Sequence, residues 1–265
     1  MNLLQLRTDT RRLIAEASAT ASYSTDADLN AFINEGIKDM CVKGKVYEKT
    51  EYATFSTGTA SYLLPLDFLT LRAIYNPSGV ALDAMDPSGL GKVYVVAGKP
   101  TYYYISQTAL TITTRQNSHA YVKGDIVTPI SANGYMYEVT PLSGNSDSSP
   151  PTYPTNPGSR VQDGSIYLVC RDASTTGYKV VLVDTPTTAG GGTGIYHIIF
   201  YALDEGLYTD TDSPNFPEDK HHIIPVFATF RHFVRMKDAT RAVAIYNDYA
   251  MSLGLKQQEP EKGAA

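Results

Sequence analysis

Apolar residues recur every three or four positions near both ends of the chain and at every second position between them. Leu3, Leu6, Thr10, Leu13 and Ala17 form one stripe, with Arg7, Arg11 and Glu16 outside it, which predicts an amphipathic helix over 3–18. Thr25 with Asp28 three residues later predicts a helix cap, and Leu29, Phe32, Ile33, Ile37, Met40 and Cys41 carry a second helix over 26–43, ended at Gly44. Helical spacing returns at 223–237, with Ile224, Phe227, Ala228, Phe230, Arg231 and Val234 on a broad face. It resumes at 239–253, opened by Asp238, carrying Val243, Tyr246, Ala250 and Leu253, and closed by Gly254. The acidic stretch TDTDSPNFPEDKHHIIP (209–225) leads into the third helix; Pro225, which deep in a helix costs a hydrogen bond, predicts either a kink there or a regular helix that starts near Ile223.

Between the helices the period is two. EYATFSTGTASYLL predicts two short strands around a Thr57-Gly58 turn, and further strands are expected at 93–97, 101–106, 109–113, 178–184 and 195–202. Several are apolar on both faces, which suggests burial between layers or subunits. Residues 118–176 differ: three short Tyr/Val-rich stretches alternate with Asn-Gly, Ser-Gly-Asn-Ser and Pro-Pro-Thr-Tyr-Pro loops, the pattern of a small β-module inserted at a hairpin tip. The expected class is α+β, with terminal helices forming an α-helical bundle, a central antiparallel β-region and a small all-β module inserted in it. The expected organisation is a core of 1–117 and 177–254, the module 118–176, and a flexible C-terminal tail at 255–265.

Composition agrees with a folded chain, since 43% of the 265 residues are hydrophobic and 18% charged. The net charge of −5 gives no field that attracts nucleic acid, and no run is long enough for a membrane span. Residues 1–18 lack the apolar block of a signal peptide and read as a helix kept in the mature protein. Cys41 and Cys170 stand far apart without metal-ligand spacing, which favours two buried thiols in a reducing cytosol.

Chemistry is sparse. No G-x-S-x-G, H-E-x-x-H or G-x-G-x-x-G pattern occurs. GLGKV (89–93) lacks the first glycine and the hydroxyl residue of a phosphate loop, and GGGTG (190–194) has no lysine. His221 and His222 are the best metal candidates, but neighbours on a helix point about 100° apart, and a helix-entry or interface role is favoured. No catalytic, cofactor or metal residue is therefore expected. Tyr121, Tyr135, Tyr137, Tyr153 and Tyr167 offer rings for stacking on sugars; a tyrosine core for a small module is the favoured alternative. Arg7, Arg11 and Arg12 suit a solvated face or a protein interface.

The order of short signatures is more specific than any cluster. Tyr23-Ser-Thr-Asp26-Ala-Asp28-Leu29 leads into FINEGIKDM, Tyr62-Leu-Leu-Pro65-Leu-Asp67-Phe68-Leu69 fits "Y-x-L-P-x-D-F-L", GKPTYYYI (98–105) fits "G-x-P-x-Y-Y", and DTDSPNFPEDKHH fits "D-x-x-P-x-x-P-x-x-h-H". In these the chain resembles the phage head-to-tail adaptor (head completion, or connector) family, related to the tail tubular proteins of short-tailed phages, over 1–117 and 177 to about 254. The resemblance implies a structural virion protein of the neck, made in the host cytoplasm, and not an enzyme. It implies a homo-oligomer, a dodecameric ring, with the portal protein above, a tail or nozzle protein below, double-stranded DNA passing through without sequence-specific contact, and no membrane. Portal contact falls on Leu255, Lys256, Gln257, Gln258, Glu259 and Pro260 with Arg7 and Arg11; Tyr121, Tyr135, Tyr137 and Tyr153 are the tail-side or surface-binding candidates. The alternative is a carbohydrate- or host-surface-binding virion protein acting through 118–176.

Overall fold

A computed structural model describes residues 1–14, 24–86, 88 and 98–255. The chain is mixed α+β and divides into two compact units, Met1–Glu48 with Ala202–Ala265, and Lys49–Tyr201. The expected strand at 93–97 and the GLGKV stretch lie outside the described residues.

The first unit is helical: α1 (Leu3–Leu13), α2 (Asp26–Asp39), α3 (Ile223–Arg235) and α4 (Ala239–Ser252). Asn2 and Gln5 form a capping box at the start of α1, and Thr25 and Asp28 form the expected one at α2. The described part of α1 ends at Leu13, and the expected continuation over 15–18 lies outside the described residues; Leu13 is exposed, so the buried stripe is Leu3, Leu6 and Thr10. Arg7 corrects the sequence reading too: it is buried, as a polar stripe residue is when carboxylates reach it. α2 buries Leu29, Ile33 and Ile37, then widens into a π-helical turn over Met40–Gly44, with Met40 and Cys41 buried. The left-handed residue that ends it is Lys45, at φ 50°, rather than Gly44. Gly44 meets a different need, because a Cβ there would lie 3.1 Å from Leu253 Cδ2.

α3 starts at Ile223, so Pro225 falls in the first turn, where its missing N–H has no acceptor within the helix. It buries Ile223, Ile224, Phe227 and Ala228, together with His232 and Phe233, while Val234 is exposed. Phe227 packs over Gly36 of α2, where an added Cβ would come within 3.0 Å of its Cδ1. α4 is capped by Asp238, whose side chain accepts from the Arg241 N–H at 3.1 Å. Its buried residues are Ala242, Tyr249 and Ala250; Val243, one position off that stripe and hence turned by about 100°, is exposed.

The described elements of the second unit are mainly strands. One sheet runs β1 (Glu48–Phe55), β14 (Gly194–Ala202), β3 (Phe68–Tyr75). A second runs β2 (Ser61–Leu63), β13 (Thr176–Val183), β5 (Tyr102–Ala109), β4 (Asp83–Ala84). The expected hairpin over 51–64 is therefore corrected: β1 and β2 enter different sheets, each pairing with a strand from residues 176–202. β5 and β13 form an eight-residue antiparallel ladder, closed beyond its end by Leu110 N–H donating to Thr175 O at 3.0 Å.

The expected strand 109–113 is likewise split. Ala109 ends β5, and β6 (Ile112–Thr114) joins a third sheet ordered β11 (Arg160–Asp163), β12 (Ile166–Asp172), β9 (Tyr135–Val139), β8 (Ile126–Thr128), β6. A two-stranded ribbon, β7 (Ala120–Tyr121) with β10 (Gly144–Asn145), accompanies it. Tyr121, Val127, Tyr137, Val139, Ile166, Leu168 and Cys170 make one core there. The glycine run at 190–194 holds no cradle: Cβ atoms on Gly190 or Gly192 would come within 2.5 Å of the Gly98 backbone, so these glycines allow two chain segments to touch.

Candidate interaction surfaces

In the helical unit the stretch 204–222 is a structural junction. The N–H groups of Leu3 and Leu4 donate to Asp212 O at 2.9 Å and Asp210 O at 3.3 Å, so the acidic loop caps the first turn of α1. Arg7 donates to the Asp210 carboxylate and lies 3.6 Å from Asp26 Oδ2; Arg11 reaches Asp26 Oδ1 at 2.9 Å and Ser24 O at 3.2 Å. Asp212 accepts from Tyr208 N–H, Thr209 N–H and Thr209 Oγ1. Partial burial acts to raise its carboxyl, and these hydrogen bonds outweigh it, leaving the group below its ordinary value. Asp204 goes the other way: burial raises it, against hydrogen bonds from Asn215 and Gly206. The Cys41 thiol, buried beside Asp204, is pushed up to about 12 chiefly by that burial, and both cysteines are buried thiols outside any disulfide.

The two adjacent histidines point to different surroundings. His221 is buried, its Nε2 2.9 Å from Phe216 O and its Nδ1 2.9 Å from the Met1 nitrogen. His222 is exposed at the N-cap of α3. His232 is buried against Ser24, Oγ to Nδ1 2.8 Å. Among the described residues no group of three or more His, Cys, Asp or Glu is gathered as a metal site. Of the portal candidates, Leu255 N–H donates to Ala250 O at 2.9 Å behind α4, while Lys256, Gln257, Gln258, Glu259 and Pro260 lie outside the described residues.

In the β-unit, Tyr121 and Tyr137 are buried in the core, and Tyr135 and Tyr153 pack on it half-buried. Tyr137 OH donates to Pro154 O at 2.6 Å and accepts from Asn133 Nδ2 at 2.7 Å; Tyr121 OH accepts from Gln116 N–H at 2.7 Å. Tyr167 lies under Arg160, whose Cζ is 5.2 Å from the ring centroid.

Sequence reasoning missed the ionic groups that tie this unit together. Arg115 and Asp163, both side chains fully buried, form a fork of 3.0 and 2.8 Å, and Arg115 also donates to Asp147 O and Ser149 O. Asp67 of the Tyr62–Leu69 signature accepts from Lys49 at 2.7 Å and lies 4.0 Å from Arg171, which donates in turn to Glu138 at 2.6 Å. Glu51 accepts from Tyr62 OH at 2.8 Å and from Lys123. Burial and the Glu51 charge push the Tyr62 phenol well above its ordinary range. The available signal was a charge within an apolar strand, Glu138 alone in YMYEV and Arg171 beside Asp172 in IYLVCRD.

Among the described residues no helix is long and apolar enough to cross a membrane. No curated protein matches the chain. The family model described as SU10 adaptor protein matches residues 1–155. That match runs into 118–155, which the resemblance noted above left out, and stops before 177. It covers more than half of the 265 residues, and the chain belongs to the SU10 adaptor protein family, a family of structural phage adaptor proteins.

Proposed function

We propose that this adaptor closes into a ring of identical subunits, dodecameric as in the family it resembles, seated in the neck between the portal and the tail, with DNA passing through its lumen. The observation that best supports this is β14, apolar on both faces. Tyr196, Ile198 and Phe200 are buried, while Ile195 is 52% exposed and His197, also exposed, meets the 62% exposed Tyr52 edge-on at 4.9 Å. A neighbouring copy would cover that outer side. The helical unit offers a different open patch in Val243 and Met251 of α4, and a closed cyclic assembly joins two unlike faces of one subunit. The net charge of −5 suits a channel that DNA leaves freely.

In this reading residues 255–265 dock on the portal. Arg7 serves that contact from behind by holding Asp210 of the 209–212 loop, while Arg11 holds Asp26 at the start of α2, so both guanidinium groups are already taken. The segment around 118–176 is the insert, and because its sheet begins with β6 the cuts belong near 111 and 174. The core keeps partners after excision: Asp67 retains Lys49 and Glu51 retains Tyr62.

Negative-stain images of the purified protein, alone and with its portal, test the ring; single copies only, with portal present, would reject it. Deleting 256–265 is expected to leave the fold intact and abolish portal pull-down.

A further inference from the structure

β6 closes one side of the five-stranded sheet, pairing with β8 along one edge only. All three of its residues, Ile112, Thr113 and Thr114, are exposed, with no charge and no proline among them. Edge strands usually carry a lysine, a proline or a bulge, because open N–H and C=O groups invite pairing with another chain. β6 lacks the first two, and its Ile-Thr-Thr sequence favours strand structure.

Beside β6 lies a cleft of about 400 Å³, its wall including Thr111, Thr113, Ser61, Lys179, His119 and Asp125. That volume is near the low end of ligand clefts, about 300–1,000 Å³, and suits a few residues of extended chain. The Lys179 ammonium has no hydrogen bond or ion pair among the described residues. The His119 ring has no polar partner there either, and meets Tyr121 edge-on at 4.7 Å. Asp125 is the one carboxylate of the wall, and its Oδ2 already accepts from Val122 N–H at 2.7 Å. A free ammonium among hydroxyl donors complements an incoming carboxylate.

We propose that this cleft takes an extended peptide segment bearing a Glu or Asp side chain, which adds to β6 as a sixth strand and sets its carboxylate against Lys179. Main-chain hydrogen bonds then supply affinity, and the cleft supplies selectivity. The inference needs only the single chain and stands apart from the ring reading.

The test is fluorescence anisotropy of the full chain with a labelled peptide, Val-Thr-Glu-Val-Thr. Saturable binding is expected, about fivefold weaker for the Gln peptide and for Lys179→Gln, the factor for one partly exposed charge pair. Lys179→Glu is expected to prefer the peptide with Lys in place of Glu. A peptide N-methylated at every amide is expected not to bind, since neither of its edges can then donate to β6. Equal binding by the N-methylated peptide, equal binding by Lys179→Gln, no binding at millimolar peptide, or a preference for oligothymidylate over peptide would each overturn the proposal, the last by marking a phosphate site.

Discussion

The two units use arginine–carboxylate pairs to different ends. In the helical unit Arg231–Glu35 and Arg235–Asp28 sit at the surface, with side chains between 27% and 49% exposed. Stability there comes from apolar stripes meeting across α1, α2, α3 and α4, and the charges follow the packing. In the β-unit two arginine pairs are inside: Arg115–Asp163 is 0% exposed on both sides, and Arg171–Glu138 is 8% and 6% exposed. A guanidinium–carboxylate pair in water contributes little, whereas inside a protein neither partner can be removed without stranding the other. Helices can choose their partners by shape, while short strands in three sheets gain specificity from buried charges that accept one register only.

The sharpest way to break this comparison is Arg115→Met. It leaves Asp163 buried without its counter-charge, and a loss of about 3–5 kcal/mol is expected. Hydrogen exchange is the suitable readout, because it separates the units: faster exchange is expected across 112–172 and not in α2 or α3. A uniform change would dissolve the distinction. Gly36→Ala tests the helical side, where the new methyl would press on Phe227; about 1–3 kcal/mol is expected, confined to α2, α3 and α4 in the same measurement.

Thr25→Ala removes the side-chain half of the capping box on α2, with about 1 kcal/mol expected by urea unfolding. The Thr25 N–H bond, followed by Arg235 and the Thr25 hydroxyl, holds the Asp28 carboxyl below its ordinary value of 3.8. A lowered folded pKa means stability that is full above pH 3.8 and lost as pH falls through the folded value, so the acid limb of wild-type unfolding is expected to flatten in Asp28→Asn. The smallest effect belongs to Arg235→Ala, about 0–1 kcal/mol and shrinking with added salt, which scanning calorimetry at two ionic strengths checks.

These contrasts also explain what the sequence made legible. Helix positions were readable because Leu29, Ile33 and Ile37, or Ile224, Phe227 and Ala228, repeat within one element. The caps at Thr25 and Asp238, and the start of α3 at Ile223, were readable for the same local reason. Pairing was not: β1 and β2 are neighbours in sequence, yet their partners lie more than a hundred residues away, and nothing local to 51–64 says so. Strand β3 is hard to read because FLTLRAIY does not alternate strictly, Phe68-Leu69 and Ala73-Ile74-Tyr75 being contiguous apolar runs. ALTIT reads as one strand by composition, although β5 ends at Ala109 and β6, from Ile112, pairs in another sheet. Val243 looked apolar and so looked buried, but the Tyr249 ring against Phe227, centroids 5.1 Å apart, and its bond to Asp39 at 2.7 Å set the rotation of α4. Charges within apolar strands, Glu138 and Arg171, were visible without revealing each other.

The caps that the 210–212 backbone places on the first turn of α1 bear on how the chain is made. α1 and α2 leave the ribosome early, but their partners, the acidic loop and the helices α3 and α4, come only after Lys49–Tyr201 has been synthesised. At about 5–20 residues per second this wait is roughly 8–30 s. During it Leu3, Leu6, Leu29 and Ile33 have no lasting cover, while the β-unit, continuous in sequence, can complete itself. The order of birth is therefore sheets first and helices last, and a translational pause after residue 201 would lengthen the interval in which the nascent amino-terminal helices are open to chaperones.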